Sequence, residues 1–347
     1  MSIRVNVIMG GPSAEAEISL LSGIEVLKHI DRRRYGARAV LVTVNQEFYY
    51  CDIRKRIPTV DECAEPGKHK IFKGPFKPYA SEEVWKKCDV AFLAVHGSFG
   101  EDGLLQGFLD TLMIPYTGSG VFASAVAMNK IATKFIFEQN GIRTPPFSIA
   151  GKDHPEVTWK FLADKFGYPM FVKCPQSGSS RLMTRVDCGA GLGTKLEEYL
   201  QYTGEILVEK GIKGPEFTCA VLEKPDGSVE ALPPIEIRPV KGNYFNFKSK
   251  YEDGGSQEIV PAPRSKHLLD QIRDLALRCH RLLGCRGVSR TDMILGNDET
   301  LYVLEINSLP GLTANSLLPK SFKAAGGSYK ELIDIMIRVA LKNPITP

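Results

Sequence analysis

Three short, mainly apolar runs in the first third of the chain limit its fold more than any other feature: Ile3 to Met9, Ala39 to Val44, and VAFLAV at Val90 to Val95. Mainly apolar runs of this length suit strands buried on both faces, and such strands belong to parallel sheets covered by helices. The turn after the first run, GGPSAEAEIS, offers glycines for a tight bend, Ser13 as a helix cap and acidic side chains in the first helical turn. The expected unit is the first βα step of an open α/β domain.

Two glycine-bearing loops, PYTGSG at Pro115 to Gly120 and KGIKGPEF at Lys210 to Phe217, mark the expected boundaries. The division is residues 1–119, 120–212 and 213–347. The middle part reads as α+β: one helix over Val121 to Gln139, strands at Met170 to Lys173 and Ile206 to Glu209, and a helix near Thr194 to Tyr202. The last part has strands at Glu216 to Val221, Ser289 to Leu295 and Thr300 to Ile306. An amphipathic helix covers Lys266 to Leu283, and a closing helix runs from Tyr329 to Ala340.

A chain of 347 residues with 43% hydrophobic content has material for two or three cores. Its net charge of +4, with basic residues dispersed, argues against a dedicated nucleic-acid binder. No apolar run approaches the roughly 20 residues of a membrane helix, and the N-terminal run ends in a glycine turn rather than a cleavage site, so a cytoplasmic protein is expected. The eight cysteines form no CxxC pair and no zinc spacing, and reduced, buried thiols are expected.

Asp292 lies in one strand, and Glu305 with Asn307 in the next. Residues two apart on a strand share a face, so Glu305 and Asn307 project together, and an antiparallel neighbour can bring Asp292 beside them. Three oxygen donors of that kind are the protein share expected of a magnesium-nucleotide site. By themselves they also fit solvated polar residues on an edge strand. Lys173 ends an apolar strand before a Gly-Ser-Ser turn; a lysine there is costly to bury unless paired, and a phosphate is a natural partner. The strand ending at Glu209 and Lys210 breaks at Gly211, as a hinge presenting edge groups to an adenine would. His96, alone, reads as a structural histidine.

Together the blocks HGSFGEDGLLQG (His96 to Gly107), PYTGSG, VEKGIKGPEFT, SRTD and EINSLPGLTANSLLP resemble the D-alanine:D-alanine ligase family of ATP-grasp enzymes, over nearly the whole chain. The resemblance implies a three-domain ATP-grasp fold whose N-terminal domain has an open parallel sheet, with ATP between the central and C-terminal domains. It implies that Lys130, Lys173 and Ser180 contact phosphates, and that Glu209, Lys210, Ile212, Glu216, Tyr244, Lys250 and Ile294 complete the ATP site. Asp292, Glu305 and Asn307 would bind two magnesium ions, with manganese as a substitute. Arg290 and the Gly311 N–H would form an oxyanion site, and Ser316 and Leu317 would seat the second substrate. Glu15 would hold the first substrate's ammonium beside His96, while Ser179 and Tyr251 would link to Glu216 across the closed site. The partners implied are amino acids and ATP, with a homodimer expected by base rate. Residues 242–256, rich in aromatics, lysines and glycines, read as a closing lid.

The pattern departs from the family in places. Ser177, Arg181 and Leu182 alter the phosphate loop, Cys174 follows the lysine, and Asn129 stands where aspartate is usual. Gly211 takes a hinge position that is often a large apolar residue, which would remove a stacking surface. Two alternatives stay open: a relative that joins other amino acids or loads another acceptor, and a nucleotide-binding scaffold without catalysis.

Overall fold

A computed structural model describes residues 2–77, 82–176, 182–189, 192–240 and 255–342. Three sheets organise them. The first is five-stranded in the order β4-β3-β2-β1-β5, from β1 (Ile3–Gly10), β2 (Tyr35–Val42), β3 (Phe48–Asp52), β4 (Lys73–Phe76) and β5 (Val90–Leu93). β1 lies at its heart, parallel to β2 on one side and β5 on the other, and its last six residues are all buried. The expected parallel sheet is therefore correct for β2-β1-β5. It is extended by two antiparallel strands that the apolar runs did not announce. The second apolar run begins earlier than its apolar residues, at Tyr35, and ends at Val42, where Thr43 and Glu47 close a hairpin into β3.

The second sheet, β6-β9-β7-β8, is antiparallel and four-stranded, from β6 (Phe147–Gly151), β7 (Met170–Lys173), β8 (Met183–Val186) and β9 (Glu205–Lys210). Helices Trp159–Phe166 and Leu192–Leu200 pack on it through Leu162, Phe166 and Leu196, which share a core with Val172 and Val208.

The third sheet runs β13-β12-β10-β14-β15, with β11 added to β10. Its strands are β10 (Glu216–Glu223), β11 (Val229–Ala231), β12 (Ile235–Pro239), β13 (Ser256–Ile259), β14 (Val288–Leu295) and β15 (Leu301–Asn307). The amphipathic helix Lys266–Leu282 covers one face, burying Ile272, Ala276 and Cys279 against Phe217, Met293 and Val303. The other face meets the first sheet: Ala220, Leu222 and Val288 join Val5, Val7 and Phe92, and helix Tyr329–Lys342 inserts Leu332, Ile333 and Met336 into the same core.

The single helix expected over Val121 to Gln139 is two helices, Val121–Met128 and Lys130–Gln139. Asn129 divides them in an extended conformation (φ −95°, ψ 100°), and its side chain accepts the Ala132 N–H as the cap of the second helix. Asparagine caps about as well as aspartate, so the departure at this position is locally conservative. Ser13 is not the cap of the first helix, which begins at Ala16. Its hydroxyl instead donates to the His96 carbonyl at 2.6 Å and accepts the Glu15 N–H, tying that turn to the end of β5. All eight cysteines are free; five are buried, Cys88 and Cys285 are half-buried, and the expectation of burial fails at Cys188, which is exposed.

Candidate active site

A cavity of about 510 Å³ opens between the second and third sheets. One wall is supplied by β7, β8 and β9, which contribute Lys173, Arg185, Glu209 and Lys210; the other comes from β10, β14 and β15 through Glu216, Asp292, Ile294 and Glu305. Lys130 and Ile212 complete the set. Nine of the residues singled out in the sequence for ATP or metal therefore line one space.

The metal candidates follow from strand register. Asp292 pairs directly with Glu305 across β14 and β15, and Arg290 pairs with Asn307. Because alternate residues share a face, all four lie on the same side of the sheet. Arg290 forks onto Asp292, with Nε to Oδ1 and Nη2 to Oδ2 both 3.0 Å, and the Thr218 hydroxyl donates to Asp292 Oδ1 at 2.5 Å. Glu305 Oε2 lies 3.5 Å from the Lys130 ammonium. Asn307 uses Oδ1 to accept the Leu309 N–H and does not border the cavity.

Among the described residues no group of three or more His, Cys, Asp or Glu side chains is arranged to hold a metal by itself. The donors present are nevertheless all oxygens, the chemistry that magnesium takes, and two carboxylates leave positions for substrate phosphates. The residues fit a magnesium-nucleotide complex better than a closed metal site.

Opposite these carboxylates lies a buried charge cluster. Glu209 Oε1 is 2.7 Å from the Lys134 ammonium and Oε2 is 2.5 Å from that of Lys173. Burial opposes ionisation of Glu209, but the two lysines outweigh it and hold the carboxyl below the ordinary range. Burial likewise opposes charging of Lys173, and the attraction of Glu209 wins, raising its pKa; at Lys134 burial prevails and the pKa is lowered. The side chain of Glu209 is thus occupied on both oxygens, so any role toward an adenine rests on the backbone around it. Glycine at 211 has a steric reason: a Cβ there would lie 2.7 Å from the Pro169 carbonyl oxygen and 2.8 Å from its ring. Leu182 borders the cavity and packs on the core beneath β7.

The remaining candidates gather at the edge where the first and third sheets meet. His96 follows β5, with Nε2 3.0 Å from the Ser22 hydroxyl and Nδ1 4.0 Å from Glu101. Glu15 lies against the same turn: a Cβ on Gly97 would come within 2.6 Å of its Oε2. Ser22 also accepts the Leu312 N–H at 3.4 Å, which connects His96 to the loop after β15. In that loop Gly311 approaches Ser316, whose hydroxyl accepts the Thr313 N–H at 3.0 Å, and Ser316 and Leu317 begin helix Leu317–Ala324. Ser179, Ser180, Tyr244, Lys250 and Tyr251, with Ser177, Arg181 and most of the expected lid, lie outside the described residues.

Sequence reasoning missed Lys134, Thr218 and Ser22. Only Lys134 left a signal: it sits four residues after Lys130, on the face of its helix that buries Thr133 and Phe137.

Known proteins resemble this chain along most of its length. Residues 4–119 match the family model of the D-ala D-ala ligase N-terminus, and residues 136–338 that of the C-terminus. The D-alanine--D-alanine ligase of Leptospira biflexa is 38% identical, covering 98% of this chain and 99% of its own. That of Desulforamulus reducens is 39% identical over 99% and 100%. Among solved structures, the VanG D-Ala:D-Ser ligase from Enterococcus faecalis is 27% identical with a TM-score of 0.85, covering 98% of this chain and all of that one. The D-alanine--D-alanine ligase from Bacillus anthracis complexed with ATP is 30% identical with a TM-score of 0.77, covering 98% of each. The chain belongs to the D-alanine–D-alanine ligase family, with the ATP-grasp fold of that family.

Proposed function

We propose that this chain joins two molecules of D-alanine at the expense of ATP, through an acyl phosphate, to supply a peptidoglycan precursor in the cytoplasm. The observation that carries the reading is the cavity with lysines 130 and 173 and the paired carboxylates Asp292 and Glu305 around one space. Lysines and carboxylates facing one another in this way are suited to a triphosphate with its counter-cation. The division into residues 1–119, 120–212 and 213–347 belongs to the same reading and is supported by one sheet in each part.

ATP lies in the cavity with its phosphates toward Lys130 and Lys173 and its base toward Lys210, Ile212 and Ile294, while Glu216 takes the ribose hydroxyls. Asp292, Glu305 and Asn307 would hold two magnesium ions, or manganese in their place, which would supply positive charge against the phosphates. The carboxylate of the first D-alanine, whose ammonium Glu15 holds beside His96, attacks the γ-phosphoryl group. The amine of the second, seated by Ser316 and Leu317, then attacks the activated carbonyl; the amide forms as the amine gives up a proton and the C–O bond to phosphate breaks, releasing phosphate. Arg290 and the Gly311 N–H oppose the charge that develops on its oxygen. In this scheme residues 242–256 serve as the lid that keeps out water, which would hydrolyse the acyl phosphate. The chain acts as a homodimer.

The test is phosphate release with ATP and magnesium, in the presence of D-alanine, D-serine, D-lactate or L-amino acids, with the product identified by mass. D-Alanine should give the fastest release and D-alanyl-D-alanine the product. D-Serine belongs in the series because a D-Ala:D-Ser ligase shares the fold closely. Release that depends on another acceptor alone would assign a different ligation, and ATP turnover indifferent to every amino acid would overturn the reading.

A further inference from the structure

The cluster of Lys134, Glu209 and Lys173 contains one more cation than the phosphates need to touch. Lys173 and Glu209 border the cavity, whereas Lys134 lies behind them and does not. Its side chain is only 2% exposed, as is that of Glu209, and Lys173 is 10% exposed. Lys134 reaches the cluster from helix Lys130–Gln139, donating also to the Thr144 hydroxyl and to the Pro145 carbonyl at 3.2 Å, with its ammonium 5.1 Å from the centre of the Phe147 ring. β9 holds the Glu209 backbone between β6 and β7, in register with Phe147 on one side and Phe171 on the other.

Charge accounting gives Lys134 a purpose. With Lys173 and Glu209 alone, the carboxylate would cancel the ammonium, and the cavity wall would present a dipole. In its ammonium form, a second buried lysine on the other oxygen leaves the cluster with one net positive charge. Since a buried ion pair seldom stabilises a fold better than apolar residues of the same size, three charges in this core call for another reason. We propose that Lys134 is a positioning residue for nucleotide phosphates: it neutralises Glu209 from behind, so that the charge of Lys173 stays available to the cavity. The inference rests on the placement of ATP in this cavity.

The experiment is titration of the full chain and its variants with ATP, ADP and adenosine in the presence of magnesium. Lys134→Met should weaken ATP binding by about tenfold, the effect of about 1.4 kcal/mol. Adenosine, which has no phosphate, should bind the variant as it binds the wild type. Adding Glu209→Gln to Lys134→Met removes the carboxylate that now cancels Lys173 and should restore most of the ATP affinity. Lys134→Gln, which keeps donors for Thr144 and Pro145, gives the same comparison if the methionine variant does not fold. The proposal is overturned if Lys134→Met or Lys134→Gln binds ATP like wild type, if adenosine affinity falls in step with ATP, or if the double variant is no better than the single one. Absence of ATP binding by the wild type would instead overturn the placement of ATP, and this inference with it.

Discussion

Asp292 and Glu305 face one another across β14 and β15, and each is tied to its own cation, Asp292 to Arg290 and Glu305 to Lys130. Directly opposed carboxylates repel unless positive charge is shared between them. The two basic partners meet that need here, and a divalent ion held with substrate phosphates meets it more strongly. Glu305→Gln removes one charge while keeping shape. It should lower magnesium-dependent turnover by at least the ~10- to 100-fold that loss of a metal-supporting group costs. Steady-state phosphate release across a magnesium titration checks this, and turnover equal to wild type would remove Glu305 from the metal site.

Arg290 is fixed by two hydrogen bonds to Asp292, two residues along the same strand. A planar guanidinium gripped at two points cannot be replaced by the single point of an ammonium. Arg290→Gln should therefore reduce kcat by roughly 100- to 1,000-fold, as loss of an oxyanion donor does, while ATP still binds. Parallel measurement of kcat and ATP affinity separates the two effects. A variant that loses ATP binding but keeps its rate at saturation would place Arg290 on the nucleotide instead.

Gly211 departs from the family pattern without leaving a gap, since Pro169 closes against the space where a side chain would stand. Its N–H also bonds the Pro169 carbonyl at 2.8 Å. Gly211→Leu should not improve nucleotide affinity. It should destabilise the fold by about 1–3 kcal/mol, the usual cost of overpacking. Urea unfolding midpoints and ATP titration measure both, and a tighter, equally stable variant would show that the hinge has room.

The parts legible in the sequence were those with a single dominant signal. Val90 to Leu93 is apolar throughout and Val5 to Met9 is apolar but for Asn6, because both faces of the sheet are covered, and Lys266 to Leu282 shows helical spacing because one face packs on the third sheet. β3, β4, β8 and β11 to β13 are short or lie toward sheet edges, where alternation is brief and polar residues interrupt it. The site divided in the same way. Asp292, Glu305 and Asn307 were visible because strand register is a local rule, and Asp292 met Glu305 as that rule requires. Glu209 was seen as a hinge residue, but its partners Lys134 and Lys173 come from other elements, so only the fold reveals that its carboxylate lies between two ammoniums. The same holds for Ser22, which joins His96 to Leu312 from opposite ends of the chain.

His280 gives the fold a pH dependence separate from the cavity. It is buried on helix Lys266–Leu282, with Nδ1 2.8 Å from the Ser289 hydroxyl, and burial, helped by Arg281, pushes its pKa from the ordinary 6.5 down to about 4. In the unfolded chain the ring takes up a proton as pH falls through 6.5, whereas the folded protein keeps it neutral until about pH 4. Across that window the unfolded state binds more protons, so stability falls as pH falls and levels off below it. At about pH 5 the loss from this residue is about 2 kcal/mol as an upper bound. His280→Gln keeps a polar partner for Ser289 but does not titrate, so whatever it costs near pH 7.5 should shrink toward pH 5. Chemical denaturation of both proteins at the two pH values reads the difference directly. An equal offset at both would mean that His280 charges in the folded state as readily as in the unfolded one.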